Sequence, residues 1–355
     1  MKGYGAIKIN QPGWIEKERP TAGPLDAIIR PTALAPCSSD IHVIHGGFGE
    51  ITDRIVGHEA VGEVVEVGNL VKNFQPGDKV VIPCTTPDWE AVSLQDRNIN
   101  NAHDFGLMKS FKFLSQKDGV FAEFFHVNNA DANLVHMPEN VSVEDALMTV
   151  DMMSTGFYGV ENAEVSFGDT VVIFGIGPVG LMAVAGTALR GAGKIIAIGT
   201  RPNCVELAKE FGATDIVSYK DGDVVEQILA MGGKVDKVIL AGGNCSTMNQ
   251  ALALVKPNGI ISNMNFLDVK DKFDIPAALW ALGMGDITIR SGFCPGGARR
   301  IERLLEIIKA GRCHPGKLLN KKYTGFSEIE NAYKIMEEKP RDLIKPYVVI
   351  DWDKE

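Results

Sequence analysis

With 355 residues, 45% of them apolar and 23% charged, the chain has the make-up of a globular protein and the length for two domains rather than one. A net charge of −9 argues against a nucleic-acid-binding surface; no apolar run reaches the roughly 18 residues of a membrane span, and residues 1–10 lack the apolar core of a signal peptide. Cys37, Cys84, Cys204, Cys245, Cys294 and Cys313 are scattered and form no CxxC pair, which excludes a disulfide framework and makes a reducing, cytoplasmic setting the expectation.

Residues 1 to about 150 read as mostly β. Short runs at 27–31 and 60–67 are divided by Gly, Pro and Asp turns, and Gln75-Pro76-Gly77-Asp78 feeds an apolar strand at 79–83. Residues 86–118 are polar and irregular, the composition of a long surface loop or lobe. From about residue 153 strands and helices alternate. Strands are expected at 171–174, 194–199, 237–240 and 260–264, with helices after the glycine turn at 175–180 and at 204–211, 224–231 and 246–255. That alternation implies a parallel, doubly wound sheet. The rhythm stops near Cys294; an amphipathic helix follows at 299–311, and the tail through 345–350 reads as a return to the first domain. The expected organisation is therefore a first domain over 1–152, a nucleotide-binding domain over 153–293 and a return segment over 294–355.

Residues 171–201 form a strand, a glycine turn, a helix and a second strand, the pattern of a dinucleotide-binding βαβ unit. In Gly175-Ile176-Gly177-Pro178-Val179-Gly180, Gly175 makes the tight turn, Gly177 lets the backbone approach a pyrophosphate and Gly180 lets helix pack on strand. The pyrophosphate belongs at the helix N-terminus, where free N–H groups favour an anion. The second strand ends in Gly199-Thr200-Arg201 rather than in the carboxylate that bonds the ribose 2′-hydroxyl of NAD. No charge repels a 2′-phosphate there and an arginine stands ready to pair with one, so NADP(H) is the expected cofactor.

The first domain holds Ala35-Pro-Cys37-Ser-Ser39-Asp-Ile-His42 and Gly57-His58-Glu59-Ala60. A cysteine and a histidine so placed prove little alone. Asp151, in the apolar run 146–153, adds a carboxylate that needs a partner if buried: a helix N-cap or a metal. Cys37, His58 and Asp151 together would offer Zn²⁺ a thiolate, an imidazole and a carboxylate, with a fourth position open for chemistry.

These stretches, with Gly13-Trp14, Pro87-Asp88-Trp89, residues 117–121, Asp151-Met-Met153, Cys294-Pro-Gly-Gly297 and residues 342–346, resemble the zinc-dependent medium-chain alcohol dehydrogenases, most closely the NADP-dependent secondary alcohol dehydrogenases of anaerobic bacteria and protists. The resemblance spans nearly the whole chain. It implies an α/β protein with a GroES-like, mostly β catalytic domain and an inserted Rossmann domain, assembled as a homotetramer, that interconverts secondary alcohols and ketones, with aldehydes as a further substrate class. It also implies roles: Cys37, His58 and Asp151 as zinc ligands, Glu59 as an acid able to reach the metal, and Ser39 and His42 as a proton relay. Thr200, Arg201 and Tyr219 would form the 2′-phosphate pocket, Asn265 and Phe266 would lie near the nicotinamide, and Lys339 would make a further cofactor contact. The cysteine-rich lobe of larger relatives has no counterpart, since 86–118 contains no cysteine, so a second, structural zinc is not expected.

Phe111, Tyr158, Phe266 and Phe293 depart from the family pattern at positions that shape the substrate pocket rather than the ligand set. Two other readings remain open at this level: a zinc-free quinone or enone reductase of the same fold, and a non-catalytic NADP-binding protein. The first would lack the Cys/His/acid set, and the second would be marked by loss of Ser39 or of a ligand.

Overall fold

The computed structural model describes residues 1–90, 111–267 and 270–355; most of the lobe expected at 86–118 therefore lies outside the described residues. The chain divides into two compact units: Met1–Ser154 with Cys294–Glu355, and Thr155–Phe293. Among the described residues no helix is long and apolar enough to cross a membrane.

The first unit carries two sheets. Gln11–Glu16, Lys2–Lys8 and Arg54–Ile55 form a small antiparallel one. The larger runs in the order Leu319–Thr324, Lys345–Val349, Ala27–Leu34, Ala60–Val67, Lys79–Ile82, Val135–His136, with Phe125–Val127 also paired to Ala27–Leu34. Ala27–Leu34 and Ala60–Val67 pair antiparallel, so Leu34 lies opposite Ala60. Pro31 has no N–H to give the ladder, and the register shifts between Pro31 and Ala33, a bulge that accommodates it. The C-terminal segment belongs to this sheet: Val348 and Val349 pair with Leu34 and Ala33.

The second unit holds six parallel strands in the order Asp215–Val217, Lys194–Ile198, Thr170–Phe174, Val235–Leu240, Val255–Asn263, Thr288–Ser291. In chain order this is 3-2-1-4-5-6, the doubly wound arrangement, and its order reverses beside Thr170–Phe174. Val172, Phe174, Ile196, Val238, Leu240 and Ile261 pack with Met248 and Leu252 into one buried cluster. Helix Pro178–Leu189 starts with proline at its first turn and is buried from Gly180 to Thr187, in keeping with its nearly uniform apolar sequence.

Two details differ from the sequence reading. The strand expected at 260–264 starts earlier, at Val255, and takes in the turn-forming run Pro257-Asn258-Gly259. Asn258 keeps its turn geometry (φ 64°), and the pairing with the neighbouring strand shifts register between Val235 and Lys237. The strand Thr288–Ser291, at the sheet edge, is too short and too exposed to announce itself by periodicity.

Gly175 has φ +84°, and a Cβ on it would lie 2.6 Å from Gly242 Cα. A Cβ on Gly180 would lie 1.8 Å from Gly175 O, a backbone atom that has nowhere to go. Gly180→Ala is therefore expected to destabilise the protein by about 1–3 kcal/mol through overpacking. Urea denaturation followed by circular dichroism reads this as a lowered midpoint; an unchanged midpoint would show that the turn has slack.

Candidate metal centre and dinucleotide turn

Antiparallel pairing brings two remote segments together. Leu34 sits opposite Ala60, and the N–H of Ala35 donates to Glu59 O at 3.1 Å. Cys37 leaves one strand as the N-cap of helix Ser38–Ile44, and His58 and Glu59 enter the other. Asp151 arrives from a π-helical turn, Thr149–Met153, between helices Val143–Met148 and Ser154–Asn162. It is thus no N-cap; the widened turn is a device that recurs at functional sites. One donor atom each from Cys37, His58, Glu59 and Asp151 lies within 4.8 Å of the others. His58 Nε2 is 3.3 Å from Asp151 Oδ2, Cys37 Sγ is 3.9 Å from the same oxygen, and Ser39 Oγ is 3.4 Å from His58 Nε2.

Asp40 and Lys345, which the sequence reading passed over, hold this arrangement. The fully buried Asp40 carboxylate accepts from Cys37 N–H (2.8 Å), Gly57 N–H (3.1 Å) and His58 Nδ1–H (3.1 Å). That last bond assigns the ring proton to Nδ1 and turns the Nε2 lone pair toward the sulfur and the carboxylates. Phe111 packs edge-on against the imidazole with ring centres 5.0 Å apart. Buried Lys345 donates to Glu59 Oε1 at 2.7 Å and to Pro36 O at 3.0 Å. Position 40 in a helical first turn, three residues after an N-cap, is the signal that points to a capping role for Asp40; nothing local marks Lys345.

The electrostatics ask for a cation. Burial alone would lower the His58 pKa, yet the charge on Asp40 and hydrogen bonds with Asp151, Asp40 and Cys37 drive it well above the ordinary value. Burial pushes Glu59 up to about 7 against the pull of Lys345. Among the described residues, Glu59 Oε2 is buried with no hydrogen-bond partner. A sulfur, an imidazole nitrogen and carboxylate oxygens around one point, with an orphaned oxygen among them, suit Zn²⁺. The residues fit the metal that the family resemblance implies.

In the second unit the residues expected at the dinucleotide gather at the switch point. The Arg201 guanidinium comes within 3.7 Å of where a Cβ on Gly177 would sit, and Arg201 is the N-cap of helix Pro202–Glu210. Thr200 Oγ1–H donates to Tyr219 Oη at 2.8 Å, with Tyr219 exposed. Ile176 is buried, and Pro178 and Val179 open the helix. Asn265 Nδ2–H donates to Gly242 O at 3.0 Å, beside the turn; Phe266, next in the chain, is exposed. His42, one turn beyond Ser39 on the same helix, is exposed. Lys339 lies in the first unit, where it caps helix Ile329–Glu338 in the left-handed conformation.

The ring-orienting role of Asp40 can be measured. Asp40→Asn keeps the shape and removes the charge behind His58 Nδ1, so zinc affinity should fall about 10–100-fold in chelator competition. Wild-type affinity in this variant would reduce Asp40 to a helix cap.

The chain matches the family model for the alcohol dehydrogenase GroES-like domain over residues 23–139 and that for the zinc-binding dehydrogenase over 178–310. It is 52% identical over 353 residues to an NADP-dependent isopropanol dehydrogenase of Thermoanaerobacter brockii, covering 99% of this chain and 100% of the relative. An NADP-dependent isopropanol dehydrogenase of Entamoeba histolytica is 49% identical, with 100% and 97% covered. Among solved structures, the apo form of zinc-dependent alcohol dehydrogenase 2 from Streptococcus pneumonia superposes with a TM-score of 0.88 at 28% identity, 99% of each chain being covered. Likeness over the full length to such relatives, on the fold and donor set described above, leaves one conclusion: the chain belongs to the zinc-dependent alcohol dehydrogenase family.

Proposed function

We propose that Met1–Ser154 with Cys294–Glu355 is the catalytic domain and Thr155–Phe293 the nucleotide-binding domain of an NADP(H)-linked dehydrogenase. It converts a secondary alcohol of the 2-propanol type and NADP⁺ to the ketone, NADPH and a proton, and runs the reverse. The observation that carries this reading is the donor set of buried His58 and Glu59 with half-buried Cys37 and Asp151, in a chain so similar throughout to relatives described as NADP-dependent isopropanol dehydrogenases.

Cys37, His58 and Asp151 would hold zinc, with Glu59 as a carboxylate able to join them. When bound, the metal supplies Lewis acidity to an alcohol or carbonyl oxygen, and NADP(H) supplies the hydride acceptor or donor. The chain's own work is positioning and proton handling. Ser39 Oγ, at the edge of the donor set, takes the hydroxyl proton, and His42 on the exposed face of the same helix passes it toward water. Gly177 leaves room for the pyrophosphate. Thr200, Arg201 and Tyr219 take the 2′-phosphate, Arg201 by paired charge and the other two by hydroxyl contact. Asn265 and Phe266 flank the nicotinamide end, and Lys339 adds a cofactor contact.

We read the assembly as a homotetramer in the cytoplasm. Among the described residues, the strand Thr288–Ser291 ends the second unit's sheet with one side unpaired, and Trp280, Leu282 and Met284 in the segment before it are exposed. Such an edge with apolar neighbours suits a second copy. Six cysteines held as thiols suit a reducing compartment.

Purified protein should oxidise 2-propanol with NADP⁺, carry about one zinc per chain, and lose turnover when a chelator strips the metal and regain it with zinc. Full turnover by metal-free protein would sink the reading. Arg201→Ala should raise the NADPH KM on the order of tenfold or more, the cost of a lost charged hydrogen bond, and leave NADH kinetics nearly unchanged. Equal losses with both cofactors would remove Arg201 from the phosphate pocket.

A further inference from the structure

A second pair of sulfurs lies beside the donor set. Cys84 follows strand Lys79–Ile82, and Cys294 opens the return segment of the first unit. They are 210 positions apart in sequence, yet their Sγ atoms are 3.5 Å apart. Both are buried, and the Asp151 carboxylate comes within 4.8 Å of both sulfurs. The backbone locks the two segments together. Thr85 Oγ1–H donates to Cys294 O at 3.0 Å, and Gly297 N–H donates to Thr85 O at 3.4 Å. Gly296 packs so close that a Cβ on it would lie 2.3 Å from Thr85 O. On the other side, Cys84 N–H reaches Val150 O at 3.4 Å, one residue before Asp151. The two thiols are thus held in contact by structure that does not depend on them.

We propose that Cys84 and Cys294 are a redox-active dithiol, a modification site that closes to an intramolecular disulfide on exposure to a peroxide. Closure takes the sulfurs from 3.5 Å to about 2 Å, a shift shared between two side chains on segments already clasped. In the first step one sulfur attacks a peroxide oxygen, the O–O bond breaks, and a sulfenic acid and one water form. In the second, the other sulfur attacks the sulfenic sulfur, the S–S bond forms, and a second water leaves. Overall the two thiols lose two electrons and two protons, and one hydrogen peroxide becomes two waters. Burial makes the reaction slow beside that of an exposed thiol, and the disulfide is the state in which slow oxidation ends. The contact needs both partners: nothing in the ligand set requires sulfur at either position.

The test uses the full-length, zinc-loaded protein held for hours with hydrogen peroxide at millimolar concentration. Expected are a loss of two of the six thiols titrated after denaturation, a mass lower by two hydrogens, and a proteolytic peptide joining Cys84 to Cys294. Dithiothreitol should restore the thiols, and Cys84→Ala and Cys294→Ala should each abolish the linked peptide under the same exposure. Six intact thiols, sulfinic acid at either position, or a bridge through Cys37, Cys204, Cys245 or Cys313 in its place would overturn the proposal. Zinc counted before exposure separates the two readings: protein that holds no zinc yet forms the Cys84–Cys294 bridge refutes the metal assignment and leaves the dithiol standing.

Discussion

The candidate metal centre depends on one pairing register. Leu34 opposite Ala60 sets Cys37, three residues past one strand position, against His58, two residues before the other. Strand side chains alternate between faces, so a slip of one residue would turn His58 away from Cys37 and move a whole apolar set to the wrong face. The bulge at Pro31–Ala33 helps pin that register, because proline disrupts the ladder at a defined place. Asp40 then stitches the result: one carboxylate takes N–H groups from Cys37, Gly57 and the His58 ring. A regular sheet brings the segments near, and a single buried side chain fixes their last ångström.

Such a stitch places negative charge where water does not reach, which is costly unless it is matched. Asp40 is matched by three donors. Among the described residues Glu59 is matched at one oxygen, by Lys345, a lysine remote in sequence on the strand Lys345–Val349. The return of the C-terminal segment to the first unit therefore has an electrostatic role as well as a packing one. Among the described residues, one lysine stands against the carboxylates of Glu59 and Asp151 and the Cys37 sulfur, so the cluster is short of fixed positive charge. The upward pull on His58 and the partnerless Glu59 Oε2 record that shortage. A divalent cation answers both at once, which is why the donor set reads as a metal centre rather than as a buried ion-pair network.

How much of this was legible in the sequence varies with the physics behind each residue. The glycine turn was readable because its demands are local and steric: Gly175 needs a positive φ and Gly180 has no room for a Cβ. The alternation of strands and helices was readable because burial imposes a period. Cys37, His58 and Asp151 could be named as donor types, but their closeness arises from strands and a π-helical turn that no local pattern displays. Asp151 was equally readable as a helix cap until its turn was seen. Asp40 and Lys345 stayed hidden because each acts through partners remote in sequence or through backbone atoms, and a lone lysine in an apolar strand resembles any edge residue. The strand Thr288–Ser291 was missed because four residues, half of them exposed, carry no periodic signal.

The cofactor preference illustrates how packing and charge can encode the same choice. A Cβ on residue 199 would lie 2.2 Å from Ile176 Cγ1, so the side chain that closes the glycine turn denies room to the acid an NAD site would place there. Glycine at 199 thus fits the space left by Ile176, a residue of the turn itself. Beyond it, Thr200 is tied to Tyr219, and Arg201 stands over Gly177 at the start of a helix whose N-terminal N–H groups also favour an anion. Restoring an acid at 199 would have to displace Ile176 as well as overcome Arg201. On the proposed assignment of the 2′-phosphate pocket, discrimination would rest on the shape of the turn as well as on the arginine.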